Sequence, residues 1–270
     1  MKRSIVWWGL VLSLSALPSP ALPQAGAPTP TLTAEAAQQA AMALWEKRGD
    51  MSQFKPTVAA MEAWVKVAPT SAKALIMLGR TYTWYVYSGH QGGTDEQRLA
   101  LMGKGLEAGR KAWELAPGDI EVDFWLANLV GIYGKLYGPT KSVASYGEIR
   151  ERLDRVAAKD PTYFHGGVWR YYGRLIDQVP AALRLAFGFD LDDAIAYYDR
   201  AIKIESRYFL TWIYRAECYL LREEPDAARR DLRTVLNGNP DALPGFGSEN
   251  RVFQKQARTL WNQHFPGETP

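Results

Sequence analysis

The chain has 270 residues, 47% apolar and 23% charged, with 10 Trp and 14 Tyr, which is enough apolar mass for a buried core and too much for a disordered polymer. Lys and Arg outnumber Asp and Glu by 32 to 29, a near balance that argues against nucleic acid, polyphosphate or an anionic membrane surface as partner. The single cysteine, Cys218, excludes an intramolecular disulfide and a Cys-based zinc site, three histidines make a histidine metal cluster a poor fit, and no cofactor is expected.

Met1, Lys2 and Arg3 form a basic head before an apolar run from Ile5 to Leu17, which is too short to cross a hydrocarbon core of roughly 30 Å. Residues 1–21 therefore read as a signal peptide. Ser19-Pro20-Ala21 offers small residues where a signal peptidase inspects them, so cleavage is expected after Ala21, with a site near Ala25 as the alternative. No cysteine stands there to take a lipid, and the product is expected in the periplasm as a soluble protein. Residues 22–33, with Pro23, Pro28 and Pro30, read as an extended linker. No later apolar run reaches the ~18 residues of a membrane span.

From Ala34 to Phe265 the patterning is helical and alternating β-branched runs are almost absent, so 34–265 is expected to be one all-α domain. Helices end in a recurring phrase: Val67-Ala68-Pro69, Leu115-Ala116-Pro117, Lys159-Asp160-Pro161, Ile204-Glu205-Ser206 and Gly238-Asn239-Pro240. The last two stand 34 residues apart, the period of the tetratricopeptide (TPR) repeat. The small and large positions of that repeat follow. Trp212, Ala216, Tyr219, Ala228, Leu232 and Val235 fill them in the last unit, where Arg215 departs from an expected Leu; Leu75, Leu78, Gly79 and Tyr82 fill them after Pro69; Ala194, Tyr198 and Ala201 fill them before Ser206, with Trp169, Tyr172 and Gly173 in the helix ahead. Gly and Ala belong where two helices cross closely, and the large residues fill the gap to the next pair.

The fold expected is a TPR-like solenoid of about five helix pairs, the first weak (Ala34 to Gly49, Ser52 to Ala68), closed by a capping helix from Glu249 to Phe265. The other intervals exceed the TPR period by 10 to 14 residues. The excess is expected between the helices of a pair, at Val86 to Asp95, Tyr137 to Ser142 and Pro180 to Asp190, as long loops or extended first helices on one edge.

Function is sought on the first helix of each pair, which lines the concave side of such a solenoid. Tyr82, Trp84, Tyr85 and Tyr87 cannot all share one core face at 3.6 residues per turn, so some must point into the groove. Tyr82, Tyr85, Trp125, Trp169 and Trp212 are the aromatic candidates for a ligand with an apolar body and a polar end. Arg170 and Arg174 share a face and Arg215 lies in the next repeat; each needs a carboxylate, either the ligand's or an internal one such as Asp177 or Glu217. Gly131, Gly134 and Gly138 make a smooth stripe, either a close helix contact or a pore wall. His165 reads as a packing residue at a helix start, and Cys218 as a buried inert thiol. No nucleophile elbow, zinc-protease or phosphate-loop motif is present, and Gly103-Lys104-Gly105 lacks the spacing of the last, so an enzyme is not expected.

His165-Gly166-Gly167, Arg170, Gly173-Arg174, Pro180, Gly188, Ala194, Tyr208-Phe209-Leu210, Ala216-Glu217, Glu249-Asn250 and Lys255-Gln256-Ala257-Arg258 together resemble the TRAP transporter T-component family. The resemblance covers roughly Ala68 to Asn262 and is strongest after Asp160, with Phe189 standing where a small residue is expected. It implies a TPR-like periplasmic protein, a homotrimer, a TRAP solute-binding protein as partner, and a pore suited to an apolar carboxylate. The alternative is a generic TPR scaffold that grips peptide segments of envelope proteins and takes no small ligand.

Overall fold

The computed structural model describes residues 32–88 and 93–270; the signal peptide expected at 1–21 and nearly all of the expected linker lie outside the described residues. Twelve α-helices, with no strand among the described residues, carry the fold: α1 (Ala34–Trp45), α2 (Phe54–Val67), α3 (Ala72–Tyr87), α4 (Asp95–Leu115), α5 (Ile120–Tyr137), α6 (Pro139–Lys159), α7 (Tyr163–Asp177), α8 (Ala181–Phe187), α9 (Leu191–Ile204), α10 (Phe209–Leu221), α11 (Pro225–Asn237) and α12 (Gly247–His264). The packed pairs are α1/α2, α3/α4, α5/α6, α7/α9 and α10/α11, and α12 covers the last of them.

The punctuation read in the sequence works through the residue before proline, which is pushed out of the helical region by the proline ring. Ala68, Ala116 and Asp160 each end a helix with φ between −148° and −132°. After Ala68 and Ala116 the next helix restarts on a side-chain cap, Ser71 accepting from the Ala74 amide and Asp119 from the Glu121 and Val122 amides; α7 after Asp160 has none, and within the second pair Thr94 and Gln97 start α4 with a reciprocal capping box. Inside the pairs, the small residues stand at the crossings. A Cβ on Gly173 would lie 2.6 Å from the Tyr198 ring of α9, and one on Gly79 would lie 3.2 Å from the Gly105 carbonyl of α4.

The insertions differ in form from pair to pair. In α3/α4 the break expected from Val86 to Asp95 lies largely outside the described residues; α3 ends at Tyr87 and α4 starts at Asp95. In α5/α6 the loop expected from Tyr137 to Ser142 is absent: Gly138 alone joins the two, Pro139 starts α6, and the extra residues lengthen both helices to 18 and 21 residues. Proline at the first helical position lacks only an N–H that would have had no partner, so it starts the helix where a break was expected. In α7/α9 the excess folds into α8, a short helix with no buried residue.

The superhelix closes on itself. Arg48, in the turn after α1, donates to Glu249 of α12 at 2.8 Å and to the Gly245 carbonyl at 2.8 Å, and both charged side chains are almost fully buried. Nearby, the Trp84 indole donates to the Arg48 carbonyl at 2.9 Å and packs edge-on against Phe253 of α12. Helix α12 therefore caps the last pair and clasps the first, which turns an open groove into a partly enclosed space.

Candidate functional site

That space is a cavity of about 640 Å³, walled by the inward faces of α3, α5, α7 and α10, with α6, α8 and α12 contributing at its ends. The lining includes Arg80, Thr83, Trp84 and Tyr87 on α3, Trp125, Asn128, Ile132 and Lys135 on α5, and Gly167, Arg170, Tyr171 and Arg174 on α7 with Gln178 just after it. These steps of three and four residues mark one stripe per helix. Along these stripes the cavity has an inner end, a waist and a mouth.

At the inner end the Arg80 guanidinium lies 4.5 Å from the ring centre of Trp125, 4.9 Å from Trp45 and 5.0 Å from Phe164. Phe164 reaches this place through an unusual backbone. Phe164, His165 and Gly166 are all left-handed, with φ of 47°, 56° and 71°, before α7 continues as an ordinary helix. Arg170 staples that turn by donating to the Phe164 and His165 carbonyls at 3.3 and 3.2 Å, and to the Thr211 hydroxyl at 3.2 Å. Gly166 is required twice over: a Cβ there would lie 2.9 Å from the Ala201 backbone, and its φ favours glycine. His165 packs against Tyr208 and Phe246, and burial lowers its pKa.

At the waist Arg174 donates to Glu217 at 2.8 Å and to Asp177 at 3.2 Å, with its guanidinium 3.9 Å from the Tyr214 ring centre. Burial opposes its charge, but the two carboxylates outweigh it and raise the Arg174 pKa. Tyr214 and Tyr87 meet hydroxyl to hydroxyl across the waist, and Lys135 donates to Gln178 at 2.9 Å. Toward the mouth the walls turn apolar, with Val143 and Tyr146 from α6 facing Leu183, Phe187 and Phe189 from the α8 segment. Phe189 stands 5.6 Å from Tyr146 between ring centres, and the left-handed Gly188 ahead of it ends α8.

Of the eight residues singled out in the sequence, Trp125, Arg170 and Arg174 line the cavity and the other five do not. Tyr82 donates to Glu62 at 2.9 Å and Tyr85 to Thr57 at 3.3 Å, both on the α2 side of α3. Trp169 donates to the Pro161 carbonyl at 2.7 Å and lies between Tyr197 and Arg200 of α9; Trp212 donates to the Ser206 carbonyl at 2.7 Å. Arg215 is held by Asp231 at 2.7 Å and by Asp199. For Tyr82, Trp169 and Trp212 the physical reason is common: the repeat positions that identify a TPR pair are its packing positions, so an aromatic residue found by the repeat pattern is turned away from the groove. Arg174 also takes internal partners, although it faces the cavity.

The glycine stripe splits, since Gly131 lines the cavity beneath Tyr171 while Gly134 abuts Ser142 and Ser145 of α6. Sequence reading passed over Arg80 and Phe164 and met Tyr208 and Glu249 only as carriers of the family resemblance. The spacing Arg80, Trp84, Tyr87, offset from the repeat positions of the same helix, is the signal that could have found the first of these. Cys218 is buried, and burial pushes its thiol up to about 12, consistent with an inert packing role. Among the described residues, no group of three His, Cys, Asp or Glu side chains could hold a metal ion, and no helix is long and apolar enough to cross a membrane.

The sequence model of a family described as TRAP transporter T-component matches residues 58–264. No curated protein matches the chain. Among solved structures, a thermophilic TPR protein of Thermus thermophilus superposes with a TM-score of 0.59 at 18% identity, over 84% of this chain and 100% of that one. The pilF protein of Pseudomonas aeruginosa superposes with a TM-score of 0.45 at 15% identity, over 87% of this chain and 93% of that one. The first of these likenesses is one of fold: paired helices stacked in a TPR-like array.

Proposed function

The chain belongs to the TRAP transporter T-component family, and from that premise we propose that it is an exported periplasmic accessory protein that holds a small apolar acid in its cavity and engages the transporter's solute-binding protein. The observation that carries the ligand reading is the partly enclosed cavity of about 640 Å³, a volume within the range of small-molecule sites. Its rings and aliphatic side chains stabilise an apolar body by removing it from water, while its guanidinium groups favour an anionic end. The clasp of Arg48 on Glu249 favours this reading over a peptide-gripping scaffold, because it narrows the groove along which an extended peptide would lie. We read the site as non-catalytic, since Asp177, Glu217 and Glu249 are each engaged by arginine rather than poised beside a nucleophile. The basic head and short apolar run support export, and the homotrimer implied by the family is part of the proposal.

Native mass spectrometry of protein purified gently from its host tests this. The expected result is a trimer of chains beginning near Leu22 that releases a small acid on denaturation. Chains that retain Met1 would refute export. Ligand-free chains that also fail to bind any fatty or aromatic acid in calorimetric titration would return the protein to the peptide-scaffold reading.

A further inference from the structure

Among the described residues the Arg80 guanidinium makes no hydrogen bond. Its nearest carboxylate oxygen, on Glu249, is 3.9 Å away and already accepts from Arg48 at 2.8 Å, while the second oxygen of Glu249 accepts from the Tyr208 hydroxyl at 3.0 Å. Arg170 donates only to neutral oxygens, and no carboxylate lies within salt-bridge distance of it among the described residues. Its guanidinium lies 4.4 Å from the ring centre of the same Tyr208. Three guanidinium groups are thus gathered about one carboxylate, and the two left over both line the cavity. A guanidinium stacked among rings keeps its in-plane N–H groups free for an incoming acceptor. A buried cationic surplus is costly unless an anion meets it. The cavity's other cations differ: Lys135 is exposed and donates to Gln178 at 2.9 Å, and at the waist Arg174 is met by Asp177 and Glu217.

Resting on the reading of the cavity as an apolar-acid site, we propose that Arg80 is its head-group receptor, seconded by Arg170 across the Phe164 ring, and that a straight-chain monocarboxylate enters head first with its tail running out past Tyr87 toward Leu183. The wall from Trp125 to Lys135 spans about 15 Å at the helical rise, a length that a medium-chain acid fills. The left-handed turn at Phe164 and His165 is part of the receptor, because it holds the Phe164 ring 5.0 Å from the Arg80 guanidinium and 5.9 Å from that of Arg170.

The test is calorimetric titration of the ligand-stripped mature chain with dodecanoate and with uncharged dodecanol, for wild type, Arg80→Gln, Arg80→Lys and Lys135→Gln. Wild type should bind dodecanoate about tenfold or more tighter than dodecanol, the factor for one charge-assisted pair. Arg80→Gln should abolish that preference while still binding dodecanol, and Arg80→Lys should retain part of it. Ligand-free Arg80→Gln should stay folded, since the cation it removes has ring contacts but no hydrogen-bonded partner. Equal affinity of wild type for the two probes, or an unchanged preference in folded Arg80→Gln, overturns the receptor while leaving the apolar cavity standing. A larger loss in Lys135→Gln than in Arg80→Gln reverses the orientation and also overturns it. Binding of neither probe removes the apolar-acid reading and the receptor together. Should Arg80→Gln not fold, the ratio of the two probes in wild type decides the matter.

Discussion

Gly173 shows how a single residue sets a helix crossing. A side chain there would meet the Tyr198 ring at 2.6 Å and the Ala194 carbonyl at 3.1 Å. Gly173→Leu must therefore push α9 away from α7, and it should cost about 1–3 kcal/mol by overpacking; a thermal melt that matches wild type would show the crossing to be looser than the structure has it. His165 makes a different kind of contribution. Burial, with Arg170 alongside, holds its pKa below the ordinary 6.5, against the smaller pull of Glu205 and Glu249. A lowered histidine pKa means that the unfolded chain binds the extra proton first. Stability from this group is full above pH 6.5 and is lost as the pH falls through the folded value. Melts from pH 7 to pH 5 should show a shallower acid loss in His165→Asn, which tolerates the left-handed backbone, than in wild type. Parallel curves would assign the acid sensitivity to other groups.

Two elements carry more than their own packing. Helix α12 buries Val252, Phe253, Ala257 and Trp261, and it also places Glu249 against Arg48. Removing one partner of a buried ion pair costs about 3–5 kcal/mol. Arg48→Met should fall near the lower end, because Arg80 stands 3.9 Å from the same carboxylate and can close on it; denaturant unfolding of the variant gives the figure, and a loss near zero would mean that the clasp is ornamental. Helix α8 is the opposite case. Leu185 is 86% exposed and nothing in α8 is buried, so Leu185→Ser should change stability by no more than about 0.5 kcal/mol. A marked fall in its melting temperature would show that α8 packs on something in solution.

At the scale of the whole molecule, closure changes how stability is shared. In an open solenoid each repeat touches only its neighbours, and the loss of one end leaves the other end intact. Here Arg48 and Trp84 near one end hold Glu249 and Phe253 at the other. Truncation after residue 246 should therefore speed amide exchange in α1 and α2, far away in sequence, as well as in α11. Protection of α1 and α2 that survives the truncation would show the ring to be two independent ends in proximity.

The all-α class, the five pairs, their boundaries at Ala68, Ala116, Asp160 and Glu205, and the capping helix were legible in the chain because each depends on local rules: periodicity, the residue before proline, side-chain caps and small residues at crossings. The family was legible for the same reason, in Gly166-Gly167, Gly173 and Gly188, which answer to close backbone approach and left-handed φ. The cavity wall was not. Whether a ring on α3 faces the core or the groove is decided by which neighbours its helix packs against, so Tyr82 and Tyr85 turn to α2 while Trp84 and Tyr87 turn inward. The meeting of Arg48, Arg80, Arg170 and Glu249 joins residues up to 201 positions apart, and no local pattern encodes a distance of that kind. It exists only because the superhelix closes and brings its two ends to one place.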